Sequence, residues 1–545
     1  MTTRWKTRLT DEIIAARMAA GEWDGETIAR HLDRLCENRP EQVVVIDGDR
    51  RISAVELRRL SWQLLAALQG RGAVPGDVVS FQIPNWYEAH LIELACAYGG
   101  LVCNPIVSIY RDGEVAQIIE DARSHFFFIP HVFRRFDYAA MVERIGASWA
   151  GVTETIVVRP DTGSPFLDFE TLMGEGSGEA PELPPVDAND IKLLMYTSGT
   201  TGRAKGVLHT HNTIGAEIRN FIEFFRLDAS DVVLMPSPLG HITGYLYGIE
   251  MPITLGCPVV LMDIWDAARA ADLIDAESVT FTLGATPFLQ ELSRVAEESG
   301  RGLPSLRYFP SGGAPVPPEI IHKANQAFAN CTAFRVYGST EAPTVSLGVP
   351  DRAAGDLGAT TEGYIVGHEI RLADPDGVTV PEGEEGEIWS RGPENLVGYS
   401  NFEDNADAFD ADGYFRTGDL ARVTPEGCLV ITGRAKDLII RGGENISPKE
   451  IEDILYRHPA VKEAAVVAMP HERLGETACA FVTLKPGSSF DFAAMQETLR
   501  ESGMAMQKYP ERLEIVDELP YTAAGKVRKN VLREQIRERM AVKTA

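Results

Sequence analysis

Between residues 191 and 216 the chain runs from a short apolar segment, Ile191-Lys192-Leu193-Leu194-Met195, into Tyr196-Thr197-Ser198-Gly199-Thr200-Thr201-Gly202-Arg203-Ala204-Lys205-Gly206-Val207, and then into a stretch from His209 with helical potential. That order predicts strand, loop and helix, the setting in which an α/β protein cradles phosphate. Three glycines let the backbone approach a polyphosphate closely. The hydroxyls of Thr197, Ser198, Thr200 and Thr201 donate to its oxygens, and Lys205 adds charge. The loop is not a Walker A loop, because G-x-x-x-x-G-K-[ST] does not occur in it.

The rest of the chain is patterned to match. Short β-branched and aromatic runs at 43–46, 78–81 and 126–129 alternate with helical segments at 54–68 and 87–98, which predicts an α/β fold with mainly parallel sheets. Residues 174–190, rich in glycine, proline and acid, read as a connector between a first lobe and the lobe that opens at Ile191. After Gly433 the pattern becomes compact: a helix at 449–457, strands at 461–468 and 479–484, a helix at 492–501, a strand at 513–516 and a basic helix from Val527. This is a small α+β unit within the usual domain range. The expected division is an N-terminal domain of residues 1–434 and a C-terminal domain of residues 435–545.

Composition narrows the function classes. At 545 residues and 44% hydrophobic content the chain can bury several packed layers. Its formal charge of −27, from 79 acidic and 52 basic residues, argues against a nucleic-acid or anionic-lipid partner, which needs a basic face. The apolar run from Pro252 to Met262 is far shorter than the roughly 20 residues of a membrane helix, so no membrane insertion is expected. Met1 to Thr10 carry three basic residues with no apolar stretch behind them, and the cytoplasm is the simplest location. The seven cysteines are scattered without a C-x-x-C pair and read as small buried hydrophobes.

Further motifs follow the loop in order. They are Ser311-Gly312-Gly313-Ala314-Pro315, Tyr337-Gly338-Ser339-Thr340-Glu341, Tyr414-Phe415-Arg416-Thr417-Gly418-Asp419, the segment from Gly433-Arg434-Ala435-Lys436-Asp437 through Arg441-Gly442-Gly443-Glu444 to Pro448, and Pro520-Tyr521-Thr522-Ala523-Ala524-Gly525-Lys526. Taken singly, Tyr337 reads as a core aromatic, Glu341 as a surface charge and Lys526 as a solvated cation. In this frame and order the chain resembles the adenylate-forming superfamily of acyl-CoA synthetases, peptide-synthetase adenylation domains and firefly-type luciferases, over about residues 25 to 535. The family usually has proline where Ala204 stands, so the loop here is less stiff. In overall wording the chain is similar to cyclohexanecarboxylate–CoA ligases and short- to medium-chain fatty acyl-CoA synthetases.

The resemblance implies a large N-terminal domain of mixed and parallel sheets flanked by helices, and a small mobile α+β C-terminal domain carrying a catalytic lysine. It implies ATP, Mg²⁺ and coenzyme A, and a small-molecule carboxylic acid as substrate. Thr197, Ser198, Gly199, Thr200, Thr201, Gly202 and Lys205 would hold phosphates, and Gly312 and Gly313 would border adenine and the acyl group. Tyr337 would stack on adenine beside Gly338, Thr340 would meet the α-phosphate, and Glu341 would bind Mg²⁺, a hard cation suited to a carboxylate. Asp419 would accept the ribose hydroxyls with Arg434 as a second contact. Lys436 would be the hinge, Gly443 would line the pantetheine path, and Lys526 would be catalytic.

His241, in Pro238-Leu239-Gly240-His241-Ile242-Thr243-Gly244-Tyr245, would border the carboxylate; the bland alternative is a helix-start histidine with a structural hydrogen bond. Tyr245, Leu246 and Tyr247 would offer apolar lining, and the expected acid is hydrophobic, medium-chain or alicyclic. The alternative function is a stand-alone adenylation enzyme that loads an acid onto a separate carrier protein. A homodimer is compatible with either.

Overall fold

The computed structural model describes residues 4–146, 149, 154–161, 163–177, 179–197, 203–314, 316–441, 444–471, 473–521 and 526–544. Among them two large sheets carry the body of the chain. The first has seven strands, in the order Thr332–Arg335, Tyr308–Ser311, Phe281–Thr282, Val233–Met235, Val259–Leu261, Val43–Asp47 and Arg50–Ser53, all parallel except the last hairpin. The second has eight: Gly398–Tyr399, Lys205–Thr210, Ile191–Thr197, Val102–Pro105, Val78–Phe81, Phe126–Pro130, Glu154–Val158 and Leu167–Asp168. Parallel strands buried on both faces read as continuous apolar runs, and Phe126 to Phe128 are each fully inaccessible.

Two expectations change here. The stretch 174–190 does not separate a first lobe from a second, because Ile191–Thr197 pairs with Val102–Pro105 in one sheet while Val43–Asp47 pairs with Val259–Leu261 in the other. The chain crosses between sheets, which single-sequence patterning cannot show. The phosphate-loop region is also not strand, loop, helix. Ile191–Thr197 and Lys205–Thr210 form an antiparallel hairpin, and only then does Thr210 cap the helix His211–Phe225 by accepting from the Thr213 amide. Val207 and Leu208 are fully buried, so strand pairing wins over the helical potential seen from His209.

A third sheet, of five antiparallel-paired strands between Gly363 and Arg434, supplies Asp419 and Arg434. The chain then enters a sheet built from Ile439–Arg441, Glu444–Ile446, Val461–His471, Gly475–Leu484 and Arg512–Ile515. The helices Pro448–Leu455, Phe492–Glu501 and Lys529–Thr544 accompany it. Two apolar clusters in this region draw only on residues after Arg434. All seven cysteines are buried and unbridged. No described helix is long and apolar enough to cross a membrane.

Candidate active site

The hairpin places Thr197 directly opposite Lys205, one residue on either side of the loop base. Thr197 Oγ1 donates to Glu341 Oε1 at 3.4 Å. The Lys205 ammonium lies 3.9 Å from Asp404 Oδ1 and 4.9 Å from the centre of the Tyr399 ring. Tyr399 in turn donates its hydroxyl to Glu341 Oε1 at 3.2 Å. One glutamate oxygen is thus held by two hydroxyls, and one of them belongs to a ring that also faces Lys205. Ser198, Gly199, Thr200, Thr201 and Gly202 lie outside the described residues.

Glu341 sits in a turn that leaves the end of strand Thr332–Arg335. Tyr337 and Ser346 exchange backbone hydrogen bonds of 3.2 and 3.0 Å, closing the turn. At Gly338 a Cβ would stand 2.3 Å from the Thr344 amide nitrogen, so no other residue fits without moving backbone. Thr340 is buried, and its carbonyl accepts from His209 Nε2 at 2.8 Å. That bond fixes the His209 tautomer, leaving Nδ1 as the acceptor facing Thr213 Oγ1 at 3.1 Å. Burial pushes the His209 pKa down to about 4, so the ring is neutral.

Asp419 and Arg434 are register partners on neighbouring strands, with Arg434 Nε 2.7 Å from Asp419 Oδ1. Asp419 Oδ2 accepts from the Tyr337 hydroxyl at 2.7 Å. Lys526 comes within electrostatic reach of Arg434, Asp419, Glu341 and Lys436. Its pKa is lowered, first by burial and then by Arg434, against the pull of the two carboxylates. Lys436 lies on the short turn Ala435–Asp437, where partial desolvation of its ammonium and then the Arg434 charge lower its pKa. The turn is anchored from the last helix by Arg533, which pairs with Asp437 at 2.8 Å and donates to the Lys436 carbonyl at 3.4 Å.

His241 caps the helix Ile242–Tyr245, accepting from the Thr243 amide at 3.4 Å through Nδ1. The helix-start hydrogen bond is therefore present, and burial together with the Lys526 charge drives the ring pKa down to about 4. Tyr245 and Tyr247 are buried rather than arrayed as plain apolar lining: the Tyr247 hydroxyl donates to Glu217, and the Tyr245 ring faces the buried Lys192, whose ammonium sits 2.9 Å from Glu93 and 2.5 Å from Glu250. Gly312 is pressed against Val336, where a Cβ would lie 2.6 Å from the carbonyl oxygen, and Gly313 adopts φ +77° with open space beside it. Gly443 lies outside the described residues.

A family model described as AMP-binding enzyme matches residues 32–400, and one described as AMP-binding enzyme C-terminal domain matches residues 450–526. The chain belongs to the AMP-binding enzyme family. Among the relatives of this AMP-binding enzyme, a medium-chain fatty-acid–CoA ligase of Escherichia coli is 33% identical over 534 residues, covering 96% of this chain and 93% of its own. A 2,3-dihydroxybenzoate–AMP ligase of Bacillus subtilis is 31% identical over 540 residues, covering 97% of each chain. Among solved structures, ATP-bound MatB from Rhodopseudomonas palustris superposes with a TM-score of 0.83 at 28% identity, over 93% of this chain and 98% of that one.

The donor set of this AMP-binding enzyme fits a nucleotide polyphosphate with a hard cation. Among the described residues no three His, Cys, Asp or Glu converge as a ready-made metal cage. A carboxylate such as that of Glu341 is a hard-oxygen donor of the kind that holds Mg²⁺ together with phosphates. The Arg434 charge lowers the Lys526 pKa, a repulsion that an anionic ligand would offset. Sequence patterning does not single out His209 or Tyr399. His209 does sit in a His-Thr-His-Asn run just past the loop, the one local signal that could have flagged it.

Proposed function

We propose that this AMP-binding enzyme is a cytoplasmic ATP-dependent carboxylic acid–CoA ligase for a hydrophobic, medium-chain or alicyclic acid. The observation that carries it is Lys526, delivered from the C-terminal region of the chain to the cluster of Asp419, Arg434 and Glu341. An acid attacking a phosphate brings two anions together, so the barrier is largely repulsion, and positioned cations lower it. Lys526 would offset that charge during adenylation, while Lys205, with Thr197 and its neighbours, would stabilise departing pyrophosphate. Mg²⁺ held by Glu341 would supply further neutralisation along the phosphates.

Asp419, set by Tyr337 and Arg434, would take the ribose hydroxyls, and the Tyr337 ring would face adenine. His241, neutral at pH 7, would meet the acid without adding charge. In the second half-reaction a thiol attacks the acyl-adenylate carbonyl and AMP leaves. Rotation about Lys436, between a domain of residues 1–434 and one of residues 435–545, would remove Lys526 and bring Gly443 to the thiol path.

The substrate class is supported by the medium-chain ligase from Escherichia coli. The Bacillus subtilis relative, named as an acid–AMP ligase, favours a second reading in which the acyl group is loaded onto a separate carrier protein. A pyrophosphate-release screen across acids of graded size tests the first half-reaction, and medium-chain or alicyclic acids should exceed acetate in kcat/KM. Acetate as the best substrate would refute the hydrophobic assignment. Thioester formation with coenzyme A rather than with a carrier protein decides the acceptor.

A further inference from the structure

Behind Glu341 lies a buried acidic cluster to which the proposed reaction assigns no role. Glu217, on helix His211–Phe225, and Glu394 are each only 1% exposed, and Asn220, one turn after Glu217 on that helix, donates to Glu394, which brings the two acids to one buried site. Two acids buried together cannot both ionise cheaply, and burial followed by the Glu394 charge raises the Glu217 pKa, so the pair retains a proton. Glu217 also accepts from the Tyr247 hydroxyl and from Thr344 Oγ1, the latter at 2.6 Å. Glu394 accepts from the Asn220 amide and lies 2.7 Å from His368 Nε2. His368 Nδ1 contacts Ser390 Oγ at 2.8 Å, and its Nε2 approaches the Pro343 carbonyl at 3.3 Å.

These contacts meet the metal-site turn from both sides. Thr344 has φ +42°, a left-handed conformation that a β-branched residue keeps only when its surroundings impose it. It is the Thr344 amide that Gly338 must accommodate, and Thr344 is bound to Glu217. On the other side, two residues beyond Glu394, the Leu396 amide donates to the Glu341 carbonyl at 2.8 Å.

We propose that Glu217 and Glu394 are positioning residues for Glu341: a proton-sharing acid pair holds Thr344 strained and residues 394–396 in place, and so sets the turn that presents the Mg²⁺ carboxylate. Loss of the shared proton puts two anions in contact and loosens that turn. The neighbouring charges leave the pair as the titrating element. Arg219 is paired with Asp24 at 2.6 Å and Arg17 with Glu22 at 2.5 Å. Burial drives the His368 pKa down to about 4 and the Tyr247 pKa well up, so neither changes charge between pH 7 and 9. Burial raises Glu217 well above the carboxylate range and Glu394 to about 7.

The inference rests on the nucleotide-binding reading, so the test includes a measurement that needs no ligand. Wild type, Glu217→Gln and Glu217→Ala are compared at pH 7 and 9 by amide hydrogen exchange of residues 339–341 without nucleotide, corrected for intrinsic rates, and by equilibrium Mg·ATP binding. Gln keeps a donor toward Glu394 and cannot ionise. It should match wild type within about threefold at pH 7, and should lose less protection and less affinity than wild type on going to pH 9, as a removed titration requires. Ala should weaken Mg·ATP binding about tenfold or more at pH 7. Identical pH responses in wild type and Glu217→Gln overturn the proposal even if Glu217→Ala does not fold. Wild type that exchanges as expected but binds no Mg·ATP would instead overturn the nucleotide reading.

Discussion

The Tyr337 hydroxyl donates to Asp419 Oδ2 at 2.7 Å, joining two motifs that are 82 residues apart. The same carboxylate meets Arg434 through its other oxygen at 2.7 Å, so both acceptor atoms of Asp419 are oriented from different segments before any ligand arrives. Preorganisation of this kind spares the ordering cost at the moment of binding.

Asp419→Ala should therefore reduce ATP affinity by more than one hydrogen bond's worth, because it also leaves Arg434 and Tyr337 without their carboxylate. Charged hydrogen bonds contribute about 1.5 to 3 kcal/mol each, so a loss of tenfold or more is expected in equilibrium ATP binding. Tyr337→Phe, which keeps the ring and loses one bond, should cost less. An Asp419→Ala affinity within twofold of wild type would contradict the assignment.

Glu341→Gln keeps the acceptor oxygen that Thr197 and Tyr399 use but removes the charge. The fold should hold, with an unchanged Tm, while the Mg²⁺ concentration needed for half-maximal pyrophosphate release rises about tenfold or more. An unaltered Mg²⁺ dependence would show that the cation is held elsewhere.

Lys526→Ala and Lys436→Pro should fail at opposite steps. The first removes a preorganised cation, so adenylation should drop by orders of magnitude while preformed acyl-adenylate is still converted to thioester. The second fixes φ and restricts the preceding residue, so adenylation should persist and thioester formation should stall. Single-turnover assays of both steps check this. Equal loss of both steps in both variants would refute alternation about Lys436.

His209→Gln tests the buried ring behind Thr340. The native ring refuses a proton until about pH 4, whereas the unfolded chain takes one up below its ordinary 6.5. Its contribution is therefore complete above pH 6.5 and is lost as pH falls toward 4. Glutamine keeps an amide donor for the Thr340 carbonyl and does not titrate. From pH 7 to 5 wild type should lose about 2 kcal/mol relative to the variant in urea unfolding, from roughly 1.4 kcal/mol per pKa unit. A stability difference that stays constant with pH would mean the ring is protonated or solvated.

Gly338→Ala should lower both Tm and ATP affinity. Its methyl would press on the Thr344 amide, a backbone group in a strained residue that has no room to yield. Thermal melting and nucleotide titration follow the two effects separately, and a variant melting with wild type would show that the turn adapts.

The sequence alone singled out the groups of the proposed site. Glu341, Tyr337, Asp419 and Lys526 stand out in the sequence because each sits in a short local frame of glycine, threonine and charge, and the structure brings them near one another. The compact unit after Gly433 was legible too, since helices such as Phe492–Glu501 declare themselves by local periodicity. Only tertiary structure decided what lies between and behind those groups. The hairpin that displaced the expected helix start is local but settled by burial of Val207 and Leu208 in the sheet, while the crossing of the chain between the two large sheets, the His209 bond to Thr340 and the Tyr399 bond to Glu341 all join residues distant in sequence. So does the Glu217–Glu394 pair, whose members are ordinary surface-type residues until folding removes water from both. Burial and long-range pairing depend on which segments meet, and a charge's cost or use depends on the dielectric around it, which no single stretch of sequence contains.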